Sequence, residues 1–180
     1  MAEIKGTKTE KNLNVAFQGE VKARVKYEYY ASKAKKDGYE KVAEVFAETS
    51  GNEKEHAKIW YKLLHDGEVP STLENLEDAI KGEDYEYTKM YVKFAEEARE
   101  EGFEEIAELF EKVGKIESNH EARFKAIKEK IENGVYFKGD GIAVWKCRNC
   151  GYIHIGDSAP KVCPVCAHPQ AYFEISAENY

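Results

Sequence analysis

Ahead of Cys147 the chain has no cysteine, and ahead of Asn133 it has one proline, Pro70. The first absence excludes a disulfide framework spread over the chain. The second removes the commonest helix breaker from most of its length. No apolar run reaches the length of a bilayer span, and the opening M-A-E-I-K-G-T-K-T-E-K-N carries charges but no apolar signal core. Positive charge is in deficit: 27 Lys and Arg against 34 Asp and Glu leave a net charge of −7. Nucleic acid and anionic membrane therefore lack an electrostatic footprint. Together these absences predict a soluble, cytoplasmic protein whose partners are small molecules or other proteins.

What is present up to residue 132 is helical. Apolar residues recur at helical spacing over residues 9–37, 39–66, 73–101 and 103–132. The pattern predicts a mainly α fold, an antiparallel four-helix bundle. Gly38 and Gly102 mark tight corners, and D-G-E-V-P-S-T-L-E reads as a crossover loop. There Ser71 or Thr72 caps a helix with Glu74 and Glu77 in its first turns. The halves are also duplicated. A-K-K-D-G-Y-E-K-V-A-E-V-F, from Ala34, matches A-R-E-E-G-F-E-E-I-A-E-L-F, from Ala98, at an offset of 64. The same offset carries Tyr27 to Tyr91, Glu53 to Glu117 and His56 to His120. Gly19-Glu20 maps to Gly82-Glu83 at 63, so one residue has slipped between the halves.

Each apolar stripe is interrupted by residues foreign to a core. Glu20 interrupts Leu13, Phe17, Tyr27, Ala31 and Ala34. Glu53 and His56 fall among Val42, Val45, Phe46, Thr49, Ile59, Trp60 and Leu63. Glu83, then Glu86 or Tyr87, follow Leu76 and Ile80 and precede Met90 and Phe94. Glu117 and His120 fall among Phe103, Ile106, Phe110, Val113, Phe124 and Ile127. Counted from Gly38 at 1.5 Å per residue, Glu20 and Glu53 lie about 27 and 22 Å along their helices. Counted from Gly102, Glu83, Glu86 and Glu117 lie at about 28, 24 and 22 Å. Five carboxylates converging at one level would repel and resist desolvation unless protons or cations joined them. One Glu from each of two helices and a Glu-x-x-His from each of the other two is the di-iron or di-manganese carboxylate pattern. A lone E-x-x-H is by default a surface charge pair. Here both pairs share register, depth and stripe.

All four cysteines lie in C-R-N-C (Cys147, Cys150) and C-P-V-C (Cys163, Cys166). Two such pairs make a tetrahedral four-thiolate site, which accepts zinc or iron. N-G-V-Y-F-K-G-D-G-I-A before them reads as a linker or hairpin lead-in, and V-W-K-C-R-N-C-G-Y-I-H-I as strand, knuckle, strand. His154 and His168 sit outside both knuckles and read as surface residues or neighbours of the ligands. His65 reads as a charge at a helix C-terminus.

With Glu20, E-K-E-H, E-D-Y-E and E-S-N-H followed by the paired C-x-x-C, the chain resembles rubrerythrin over essentially its whole length. The resemblance implies a ferritin-like di-iron domain over 1–138 and a rubredoxin-like Fe(Cys)4 domain over 139–180, with zinc able to occupy the latter or one di-iron position. It implies that Glu53 and Glu117 bridge the metals and that Glu20 and Glu83 are terminal carboxylates. His120 would be a nitrogen ligand, and Glu86 and His56 would exchange on one iron as the redox state changes. Tyr27 and Tyr91 would donate hydrogen bonds to ligand carboxylates, or else serve only as core aromatics. Val92 stands where the family often has proline. The implied activity is a non-haem peroxidase that reduces hydrogen peroxide to water in oxidative stress defence. Electrons would pass from the Fe(Cys)4 centre, fed by an external donor such as rubredoxin or an NADH-linked rubredoxin reductase. A homodimer or higher homo-oligomer is also implied. An iron-handling ferroxidase and a zinc-ribbon scaffold are the alternatives. The chain has no dinucleotide fingerprint, so NADH is not expected to bind it directly.

Overall fold

The computed structural model describes residues 3–177. The chain divides into two compact units, Met1–Ser71 and Thr72–Tyr180.

The first unit is a hairpin of two long helices, α1 (Lys8–Lys36) and α2 (Glu40–Leu64). Thr7 opens α1, its hydroxyl accepting from the Glu10 N–H at 3.1 Å. The corner between the helices is a Schellman turn. Gly38 takes a left-handed φ of +85°, its N–H donates to Lys35 O, and the next N–H, from Tyr39, donates to Ala34 O. A side chain at that φ would be strained, which is why glycine marks the corner. The hairpin buries Ala34, Ala43, Ser50 and Ala57, and the Ser50 hydroxyl donates to Arg24 O at 3.1 Å.

The second unit repeats the plan. The equivalent of α1 runs from α3 (Thr72–Tyr85) through a π-helical turn (Glu86–Met90) into α4 (Tyr91–Glu100). α5 (Glu104–Glu132) returns beside it. Gly102 repeats the Schellman turn, again at φ +85°, with Phe103 N donating to Ala98 O. Three-ring clusters repeat as well. Tyr27, Tyr30 and Phe46 have centroids 5.4–6.1 Å apart, and their offset-64 equivalents Tyr91, Phe94 and Phe110 have them 5.6–6.5 Å apart. The slipped residue falls between Glu83 and Tyr91, the interval that contains the π turn, and a π turn is how a helix absorbs one extra residue.

A three-stranded antiparallel sheet closes the second unit, in the order β2 (Ile153–Ser158), β1 (Lys138–Cys147), β3 (Phe173–Ile175). Of the stretch read as a linker or hairpin lead-in, the part from Lys138 is strand: β1 starts there, pairs with β2 and carries a bulge between Lys138 and Ala143. At Gly139 a Cβ would come within 2.8 Å of both the Ala143 Cβ and the Gly141 carbonyl, so only glycine permits that bulge. Trp145, Cys147, Ala159, Cys163 and Phe173 form the core of this domain, and the Trp145 indole N–H donates to Gly156 O at 3.3 Å.

Candidate metal centres

The four thiol sulfurs are unbridged, and both Cys147–Cys166 and Cys150–Cys163 stand 3.7 Å apart. A tetrahedron of ~2.3 Å metal–sulfur bonds has edges of about 3.8 Å, so the thiols already lie at metal-binding spacing. The two knuckles are built alike. Gly151 N donates to Cys147 O and Ala167 N to Cys163 O, both in left-handed conformation at φ +78° and +58°. The four thiols cannot ionise together. The Tyr152 backbone N–H favours a thiolate at Cys150, but burial and the other three thiols push it up to about 12. The His168 backbone N–H, helped by Cys150, Asn149 and Cys163, draws Cys166 down to about 6. A cation held by all four removes that conflict. His168 accordingly stands beside the site, its ring against Tyr172 and its Nδ1 3.1 Å from Cys166 O, while His154 pairs across the sheet with Trp145.

Each helical unit carries a second kind of cluster. In the first, Glu20, Glu53 and His56 place ligand atoms within 4.8 Å of one another; in the second, Glu83, Glu117 and His120 do the same. His56 Nδ1 lies 3.1 Å from Glu53 and 4.0 Å from Glu20, and His120 Nδ1 lies 2.7 Å from Glu117 and 3.6 Å from Glu83. The i, i+3 spacing turns each histidine and its glutamate to one side of the helix, and the neighbouring helix supplies the other carboxylate.

Without a cation, one carboxylate of each cluster holds its proton more tightly than an ordinary carboxyl. The hydrogen bond with Glu53, then burial, raises Glu20, while the same bond and His56 lower Glu53. Burial, then Glu117, raises Glu83. Two half-buried carboxylates and an imidazole within reach of one another are a donor set that fits a divalent or trivalent metal.

Glu86 stands outside the tight cluster, on the same partly buried side of its helix as Glu83. Its charge reaches both Glu83 and Tyr91, and the Tyr91 hydroxyl is raised by burial and by Glu86, Glu117 and Glu83. Tyr27 and Tyr91 sit in the ring clusters, and among the described residues neither hydroxyl is hydrogen-bonded to a carboxylate. His65 caps α2, stacked on Tyr61 with Nδ1 2.7 Å from Tyr61 O.

Two residues beside the clusters were not singled out by the sequence. Trp60, which the stripe presents as core, directs its indole Nε1–H to Glu20 Oε1 at 3.5 Å. Its place one helical turn beyond His56 was the available signal. Glu121, next to His120, is buried and ion-paired to Lys125 at 2.5 Å. Nothing in its spacing marks it.

Paired Glu/Glu/His clusters on duplicated helices, with a four-thiolate knuckle, define the class of ferritin-like carboxylate proteins with a rubredoxin-like domain. A family model described as Rubrerythrin matches residues 11–128, and one described as Rubrerythrin, rubredoxin-like domain, matches 145–174. The chain belongs to the rubrerythrin family, a family of oxidoreductases with iron cofactors. It is 48% identical to a rubrerythrin of Porphyromonas gingivalis, over 98% of this chain and 94% of that one. It is 44% identical to the rubrerythrin of Nitratidesulfovibrio vulgaris over the full length of both. A solved structure of nigerythrin in a mixed-valence state is 32% identical, covers 98% of this chain and 91% of that one, and has a TM-score of 0.35. The fold is mainly α and ferritin-like, with a small rubredoxin-like β domain. No described helix is long and apolar enough to cross a membrane.

Proposed function

We propose that this chain is a cytoplasmic di-iron peroxidase that reduces hydrogen peroxide to water. The observation that carries the reading is the duplication of a Glu/Glu/His cluster, once in each helical unit, on a chain that also holds a four-thiolate centre. Glu20, Glu53, His56, Glu83, Glu86, Glu117 and His120 would hold two irons, and Cys147, Cys150, Cys163 and Cys166 a third. When bound, a ferrous pair supplies the two electrons that break one O–O bond and acts as Lewis acid toward the departing oxygens.

The reaction consumes one peroxide, two electrons and two protons and yields two waters. The protons would come through the carboxylates or bound water. The rubredoxin-like domain would relay electrons from an external rubredoxin-type donor, ultimately NADH through a rubredoxin reductase. The ferritin-like domain would span 1–138 and the rubredoxin-like domain 139–180, a boundary one residue inside β1. The assembly is a homodimer or larger homo-oligomer.

The test is peroxide turnover by iron-reconstituted protein. Aerobically purified protein should be red, hold about three irons per chain, bleach on reduction and recolour with peroxide. Faster reoxidation by oxygen, with iron accumulating beyond the sites, would favour a ferroxidase. Zinc alone after growth in iron-replete medium, with no turnover on iron reconstitution, would defeat the enzymatic reading.

A further inference from the structure

The two Glu/Glu/His clusters are duplicates, but Glu86 has no counterpart in the first half and the surroundings of the clusters differ. In the first, Trp60 stands one turn past His56 and its indole Nε1–H reaches Glu20 Oε1 at 3.5 Å. At the same offset of 64 the second cluster has Phe124, which has no N–H to offer. Its ring instead lies under the Arg123 guanidinium, 5.9 Å from the centroid. Trp60 and Glu20 are both half-buried, so the bond is partly shielded from competing water.

We propose that Trp60 is a positioning residue that makes the two metal positions unequal, by holding Glu20 and drawing charge from it. The inference rests on the di-iron reading above. A carboxylate oxygen that accepts a hydrogen bond has less charge to give a bound metal ion. That loss weakens the binding of a trivalent ion more than that of a divalent one. The indole therefore favours the ferrous state in the first half-site relative to the second, whose Glu83 has no indole N–H beside it. Alongside Glu86, the ligand without a counterpart, this indole biases which iron is reduced first.

The test is a redox titration of full-length protein loaded with the Mössbauer isotope of iron. The wild type should reduce its carboxylate-bound irons in two resolved one-electron steps, with the first electron localised on one iron. Trp60→Phe reproduces the residue of the second half. It should keep the helicity and iron content while the stability constant of the mixed-valence state changes about threefold to tenfold. At one electron the upper figure corresponds to about 59 mV in step separation.

An unchanged separation in fully loaded Trp60→Phe overturns the proposal and leaves the di-iron reading intact. Absence of iron from the carboxylate sites of the wild type defeats that reading instead. A second measurement needs neither iron nor the variant at Trp60. In metal-free protein, Glu20→Ala should shift the Trp60 indole N–H resonance and speed its solvent exchange, with the Trp145 indole unmoved as internal reference. A Trp60 signal indifferent to Glu20→Ala overturns the proposal by itself.

Discussion

The backbone N–H of Tyr91 donates to the carbonyl of Glu86, five residues back, and so closes the π turn that separates α3 from α4. Eight positions lead from Glu83 to Tyr91 where seven lead from Glu20 to Tyr27. Removing Lys89, an exposed residue of the turn, should let the helix run on as regular α. Each residue of an α-helix turns the chain by about 100°, so the seven positions then left between Glu83 and Tyr91 bring both to one face, as Glu20 and Tyr27 are in the first half. Far-ultraviolet circular dichroism should show helicity retained, and iron bound at the carboxylates should stay close to wild type. Loss of that iron in the deletion variant would show that the π turn itself sets the ligand register.

Glu86 lies beside the Glu83 cluster and is not part of it, although its charge reaches Glu83. A group so placed is suited to join or leave the metal as the charge there changes. Glu86→Ala should therefore lower peroxide turnover by roughly tenfold or more while iron uptake stays close to wild type. Stopped-flow peroxide assays set against iron-binding isotherms would separate the two. Equal damage to both would make Glu86 an ordinary fixed ligand.

The two knuckles differ at one conformational detail. Ala167 takes a left-handed φ of +58° where its counterpart Gly151 takes +78°. The left-handed region costs an L-residue about 1 kcal/mol, against which glycine gains freedom in the unfolded chain. Ala167→Gly should be neutral or stabilising by up to about 1 kcal/mol, and Gly151→Ala should destabilise by about 1 kcal/mol. Thermal unfolding of the metal-loaded protein, followed through Trp145, would report both. A clear loss of stability in Ala167→Gly would mean that the alanine methyl makes a contact outweighing the strain.

The helices and their corners were legible because the 3.6-residue period and the glycines at positive φ both leave marks in sequence. The clusters were legible because duplication put the same unlikely residues at the same depth twice. Which stripe residues are covered was less so. Val45, Ile59, Phe103 and Ile106, all read as core, are 46–53% exposed, since a two-helix hairpin shields only the seam between its helices. β3 escaped because its three residues pair with β1 across a long stretch of intervening chain. A segment that short has no period to read. The π turn left only a change of offset from 63 to 64, which gives the presence of an extra residue but not its conformation. Trp60 was visible as an aromatic at core spacing, while its bond to Glu20 depends on how α1 and α2 are rotated against each other.

Two of the four thiols, Cys147 and Cys163, are buried in the same small core as Trp145, Ala159 and Phe173. A core of that size, on a three-stranded sheet, is below what usually sustains a fold without a staple. Removing the metal leaves four close thiols that can no longer all be ionised, and it also removes the link between the two knuckles. Chelation under reducing conditions should therefore unfold the small domain and spare most of the helices. Trp145 is 1% exposed in the folded domain, so its fluorescence should shift to the red, while far-ultraviolet circular dichroism keeps most of its helical signal. In a Trp60→Phe background the emission reports Trp145 alone, because the chain has two tryptophans. If Trp145 stays shielded after the metal is removed, the domain is held by its apolar core, and the four thiolates serve electron transfer without being needed for folding.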